Sequence, residues 1–161
     1  MIVIVVYHLK LKEYQITNGK RRLNKTTEML PRYWLTPPEL YQSLHKEFNF
    51  DFDPCEYPKS HDALTCEWGK MNYVNPPFRS KDGSPTKIVR RGIEESKKGN
   101  ASFFTLLTQS YVNLLLEAGA QLRSLGRVKW LEVETKEPMK GPSPITGFYL
   151  PAQQSIQNDK P

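Results

Sequence analysis

Apolar and polar positions alternate between two periods along this chain, and the switches between them mark its elements. Ile2–Tyr7 is a short apolar run that reads as a strand. The polar, basic stretch Lys10–Leu30, with Asn18-Gly19 as a turn signal, reads as a loop or arm. Thr36-Pro37-Pro38-Glu39 then announces a helix: a threonine N-cap, glutamate three residues later, and proline where its missing N–H costs nothing. Leu40, Leu44 and Phe48 recur at four-residue spacing and form its buried stripe. From Phe48 to Asp53 the period changes to two, with phenylalanines on one face, and Pro54 ends this predicted strand on a carboxylate.

Residues 55–70 read as loop, with a turn or short strand around Ala63–Trp68. Met71–Asn75 is predicted to be a strand, stopped by Pro76-Pro77, and 81–85 a Gly/Ser/Pro loop. Thr86–Lys98 is predicted to be a helix that turns Ile88, Val89 and Ile93 inward and ends at Gly99. Ala101–Leu107 follows as a buried strand. Ser110 can cap a helix running to about Leu125 and stopped by Gly126. Arg127–Glu134 and Ile145–Leu150 close the pattern as two strands around a Pro/Gly loop. Alternation of helices and strands from Thr36 to Leu125 predicts an α/β fold with a mostly parallel sheet. The last two strands have no helix between them and are expected to pair antiparallel. Residues 1–32 are assigned to the basic arm, 33–151 to one domain, and 152–161 to a polar tail.

A length of 161 residues suits one domain. No apolar run approaches the ~20 residues of a membrane span. Ile2–Val6 lacks the basic start and small-residue cleavage site of a signal peptide. Two cysteines make no disulfide framework, so a reducing, intracellular, cytoplasmic setting is expected. The net charge of +6 is unevenly placed. Residues 1–32 carry seven basic side chains against two acidic, 33–78 three against seven, and 79–99 seven against three. Basic flanks suit a polyanion such as nucleic acid; an acidic middle suits a ligand that is cationic or rich in hydroxyls. A solvated arm would also explain the first flank.

Ligands of open α/β sheets bind beyond the carboxyl ends of strands. Two predicted ends carry unusual chemistry, Asp53-Pro54-Cys55 and Asn75-Pro76-Pro77-Phe78. Asn75 aims an amide into the crevice, and the two prolines force a rigid extended exit. Because neither proline has an N–H, the Asn75 and Pro76 carbonyls stay free to accept from a ligand. Phe78 supplies a flat face beside them. Together these groups suit a planar base with an exocyclic amine.

Asn-Pro-Pro-Phe resembles the catalytic motif of S-adenosylmethionine-dependent amino methyltransferases, which reads Asn or Asp, Pro, Pro, then an aromatic. Trp34-Leu35-Thr36-Pro37-Pro38-Glu39 resembles the Thr-Pro cofactor segment of adenine-specific DNA methyltransferases, and Phe50–Cys55 the acidic strand end after it. Asp62-Ala63-Leu64 followed by Trp68 is similar to the compact phage-type DNA adenine methyltransferases. Gly126–Trp130 and the strand ending near Leu150 resemble that family's closing hairpin.

The resemblance covers about residues 33–151. It implies a compact Rossmann-like methyltransferase fold and methyl transfer to the N6 amine of adenine in DNA, with base flipping. It implies that Asn75 and the Pro76 carbonyl hold the amine, with Pro77 shaping the turn and Phe78 stacking on the base. Trp34, Thr36, Pro37, Asp53, Pro54 and Cys55 would form the S-adenosylmethionine site. Asp53 would meet either ribose hydroxyls or the methionine ammonium. Arg79, Lys81, Lys87, Arg90 and Arg91, with Lys20, Arg21 and Arg22 from the arm, would contact phosphates.

Other readings stand beside these. Thr36–Glu39 is a sound cap without a ligand, and Asp53-Pro54 a sound turn. The same motif also serves methylation of RNA or of a protein glutamine. No Gly-rich loop follows Asp53, where Glu56-Tyr57-Pro58-Lys59 stands, so a non-catalytic nucleic-acid-binding relative is a further alternative. Cys55, His61 and Cys66 lack the paired spacing and fourth ligand of a zinc site, and no metal is expected. Trp68 and Trp130 read as core, His8 and His45 as surface.

Overall fold

The computed structural model describes residues 34–77, 84–106, 111–139 and 143–153. The predicted strand Ile2–Tyr7, the basic arm with Lys20, Arg21 and Arg22, and the loop positions Phe78, Arg79 and Lys81 lie outside them, as do His8, Ser110 and the end of the tail. The elements, in chain order, are helix α1 (Pro38–Phe48), strand β1 (Met71–Val74), helix α2 (Ser84–Lys97), strand β2 (Ala101–Leu106), helix α3 (Val112–Glu117), and strands β3 (Gln121–Val128) and β4 (Ser143–Leu150). No helix among the described residues is long and apolar enough to cross a membrane.

The fold is α/β, but its sheet is mixed rather than mostly parallel. The four strands lie in the order β1-β2-β4-β3. Only β1 and β2 are parallel, joined through α2, while β4 runs antiparallel between β2 and β3. The expected antiparallel closing hairpin is therefore present. The parallel majority of pairings is not, because β4 returns from β3 without a crossover helix and inserts between β2 and β3, so two antiparallel pairings stand where one parallel pairing was expected.

Alternation along the strands sorts side chains between two layers. Tyr73 and Phe103 pack with Leu44 and Phe50 beneath α1. Their neighbours Val74 and Phe104 face the other way, onto Ile88 and Val89 of α2, Leu115 of α3, and Phe148 and Leu150. Gly92 lets α2 approach that layer closely, since a Cβ there would stand 2.4 Å from the Phe104 ring. A third cluster joins Trp34, Val128, Trp130 and Met139 beside α1. Trp68 and Trp130 are core residues, 7% and 0% exposed.

Several local expectations are corrected. The N-cap of α1 is Pro37, not Thr36, and no side-chain cap bond forms; the Thr36 hydroxyl instead shares a 2.6 Å hydrogen bond with Tyr73 Oη. The Phe48–Asp53 strand shrinks to one parallel bridge, Phe52 to Asn72. Left-handed Asn49 (φ 54) ends α1 immediately before it, and Pro54 offers no N–H after it. Its phenylalanines do not all share a face: Phe48 and Phe50 pack under α1, but Phe52 packs with the α2 layer.

The helix expected to reach Leu125 ends at Glu117. Gly119 turns the chain at φ 87, and Gln121–Val128 pairs with β4 instead. Gly126 (φ 67) sits at the register shift of that ladder, a bulge rather than a helix stop. Beyond Val128 the predicted strand Arg127–Glu134 is reduced to bridges of Leu131 with Leu35 and Pro138, while the predicted Ile145–Leu150 is present within β4.

Candidate functional site

Two chain ends emerge side by side at the edge of the sheet. Backbone bonds from Asp51 N to Met71 O and from Tyr73 N to Phe52 O, both 2.9 Å, lay the 51–53 segment parallel to β1. The Asp51 carboxylate strengthens the splice by accepting from the N–H groups of Lys70 and Met71, each at 3.0 Å. Both segments therefore end at the same edge, one on Asp53 and the other on Asn75-Pro76-Pro77. The loop between them is ordered by Asp62, whose backbone carbonyl accepts from Cys66 N at 2.8 Å, and by Trp68 Nε1, which donates to Ala63 O at 2.9 Å.

These ends open onto a cleft of about 350 Å³, within the ~300–1,000 Å³ range of small-molecule sites. Trp34, Thr36, Asp53, Cys55, Asn75, Pro76 and Pro77 all line it, so seven expected site residues meet in one place. Pro37 and Pro54 do not: Pro37 caps α1, and Pro54 is packed inside. The chain before α1 is brought to the cleft by reciprocal bonds between Leu35 and Leu131, 2.8 and 3.0 Å.

Asn75 is held from three sides. Its Nδ2 donates to Trp34 O at 2.9 Å and lies 3.4 Å from Thr36 Oγ1, while its Oδ1 accepts from Thr105 Oγ1 at 3.2 Å. Tyr73 lies beneath, its phenol pushed well above the usual range by burial, against the pull of the Thr36 and Thr105 hydroxyls. Among the described residues no backbone bond engages the Pro76 carbonyl.

The charged groups lining the cleft are Asp53 and Glu56, both acidic. Burial pushes Asp53 up to about 7; the 2.8 Å bond from Cys55 N and the nearby His61 pull it down, while Glu56 raises it. Burial, then the Asp53 charge, also raise the Cys55 thiol, so it stays protonated. Glu56 is paired with His61 Nδ1 at 3.2 Å, and the His61 ring stacks on Phe52. Acidic groups beside Trp34, Tyr41, Tyr57 and Tyr73 favour an organic cation, through charge and through the aromatic faces.

The sequence reading missed Tyr41, Tyr73, Glu56, Tyr57 and Thr105. Tyr73 was legible in principle, two residues before Asn75 on the same face of a strand. Thr105 was not, because only the β1–β2 register places it opposite Asn75. Of the residues expected at phosphates, Lys87 and Arg90 are exposed on α2. Arg91, partly buried, is bound to Glu95 at 2.8 Å and lies 3.4 Å from Cys66 O. No group of three or more metal-ligating side chains occurs among the described residues. No known protein-family model matches the chain, and no curated protein does either.

Proposed function

We propose that this protein is an S-adenosylmethionine-dependent methyltransferase acting on the exocyclic N6 amine of adenine in DNA. The observation that carries the proposal is the meeting of Asp53 and Asn75-Pro76-Pro77 at adjacent parallel chain ends on one cleft. The antiparallel β3–β4 hairpin that closes the sheet agrees with it.

The cleft residues fit the cofactor. Asp53 and Glu56 offer negative charge to its sulfonium and ammonium, and the surrounding aromatic rings offer apolar faces. When bound, the cofactor supplies a transferable methyl group. The chain's own residues position the acceptor. Asn75 Oδ1 and the Pro76 carbonyl accept the two amine protons, which keeps the nitrogen lone pair directed into the cleft. Stacking on Phe78 would return about 1–3 kcal/mol of the few kcal/mol spent on extruding the base. Lys87 and Arg90, with Arg79 and Lys81 before them, provide positive charge for the phosphates on either side.

Transfer of a tritiated methyl group to adenine-containing duplex DNA tests this. Asn75→Ala is expected to abolish transfer while calorimetric binding of S-adenosylmethionine persists; unchanged transfer would remove Asn75 from the chemistry.

A second reading, a non-catalytic nucleic-acid binder, is favoured by the segment after Asp53. There Ser60 and His61 both bind Glu56 in place of a Gly-rich loop. It predicts no calorimetric signal with S-adenosylmethionine and salt-dependent DNA binding.

A further inference from the structure

We infer that Thr105 is a positioning residue for Asn75, and that the Trp34 carbonyl makes position 75 specific for an amide and intolerant of a carboxylate. This rests on the proposal that the cleft receives an exocyclic amine, and it adds how this chain presents the acceptor.

A backbone carbonyl oxygen can only accept a hydrogen bond. The side-chain atom 2.9 Å from Trp34 O is therefore nitrogen, which settles which way the amide faces. Trp34 O cannot easily move away, because the adjoining Leu35 is tied to Leu131 at both its N–H and its carbonyl. At the other end, Thr105 is 0% exposed, so its hydroxyl proton has no water to bind. Asn75 Oδ1 accepts from it at 3.2 Å, with Val74 O at 3.4 Å and the Tyr73 hydroxyl as further neighbours. The amide is thus pinned at nitrogen by one strand-like segment and at oxygen by β2. Oδ1 keeps one lone pair, and that lone pair is the acceptor the cleft offers.

The amino methyltransferases that the motif resembles use Asn or Asp at this position. Here a carboxylate would set two acceptors about 2.9 Å apart, oxygen against the Trp34 carbonyl. Only protonation restores the lost donor. Asn75→Asp should therefore bind a proton on folding, and its unfolding constant should rise relative to wild type between pH 5 and pH 8 by at least tenfold. Asp53, Glu56, Cys55, Tyr41, Tyr57 and Tyr73 line the cleft in both proteins, with His61 paired to Glu56 behind it. Asp53, raised to about 7, falls in the same pH window and would couple to a second carboxylate, so the comparison is repeated in an Asp53→Asn background, where the rise should persist.

The test uses the full chain with Asn75→Asp, Thr105→Val and Thr105→Ser. Denaturation across that pH range reads the first variant; folding at pH 5 with failure to fold at pH 8 is the expected direction in extreme form. For Thr105, the Asn75 side-chain amide resonances in ¹⁵N-labelled protein should broaden or shift in Thr105→Val and return in Thr105→Ser. Methyl-transfer kinetics should show a fall in kcat of about tenfold in Thr105→Val with KM for DNA unchanged, rescued by Thr105→Ser. A pH-independent difference for Asn75→Asp overturns the amide specificity. Unaltered resonances and kcat in Thr105→Val overturn the positioning role. Should the wild-type protein transfer no methyl group, the proposed reaction fails, while the denaturation and resonance measurements still decide whether the clamp exists.

Discussion

Asp53 is a carboxyl group that the fold holds near neutrality, and removing its charge should make the protein more stable. Burial lifts it from an ordinary value of 3.8 to about 7. At about 1.4 kcal/mol per tenfold, ionising it in the folded state costs about 4 kcal/mol beyond the cost in the unfolded chain. Solvent reaching the half-buried group keeps the real figure at or below that. The direction follows from the raised value. Below pH 4 both states hold the proton and the stability is intact; it is lost progressively as pH climbs to about 7, and is constant above.

Asp53→Asn keeps an oxygen to accept the 2.8 Å bond from Cys55 N and removes the titration. The variant should match wild type within about 0.5 kcal/mol at pH 4 and exceed it by up to about 4 kcal/mol at pH 8. With urea slopes of about 1–3 kcal/mol/M, that is a midpoint shift near 2 M, measurable by circular dichroism or fluorescence. The same energy is what a bound organic cation would recover, so ligand affinity should fall in the variant as its stability rises. A stability difference that does not change with pH, or a variant weaker than wild type throughout, would refute the reasoning.

Gly147 of β4 faces the Phe103 ring, and a Cβ there would lie 2.4 Å from it. Phe103 is 0% exposed and has nowhere to go, so Gly147→Ala should cost about 1–3 kcal/mol in chemical denaturation. Glu95 has a side chain only 4% exposed and binds Arg91 at 2.8 Å and Lys98 at 2.9 Å. Although burial acts to raise it, hydrogen bonds from Lys98 and Asn100 and the Arg91 charge hold it below the usual carboxylate range. Its contribution is thus present at neutral pH and lost as the solution is acidified through its folded-state value. Glu95→Ala leaves Arg91, 28% exposed, without its anion; the loss should be about 2 kcal/mol at pH 7, below the ~3–5 kcal/mol of a fully buried pair, and smaller in acid.

Where local signals were strong, the chain could be read directly. α1 followed from proline at its first turn and the four-residue spacing of Leu40, Leu44 and Phe48, and α2 from inward Ile88, Val89 and Ile93 and a stopping Gly99. β1 and β2 followed from apolar runs bounded by proline and glycine. Asp53 and Asn75 were legible because each was read as a polar side chain ending a strand before proline, whereas Thr36 read as a helix cap and reached the cleft only through the resemblance. Gln121–Val128 was misread because Leu122 and Leu125 fit helical spacing; its pairing with β4, a contact made across the loop between them, overrode that preference.

Non-local contact also explains what could not be read. Thr105 reaches Asn75 through strand register, and Trp34 is delivered by the Leu35–Leu131 pairing. The near-neutral Asp53 depends on how much water the folded cleft excludes. Sequence carries the identity of a group and its local geometry. Desolvation, hydrogen-bond partners and the charge a group bears arise from atoms distant along the chain, and these exist only once the layers have closed around them.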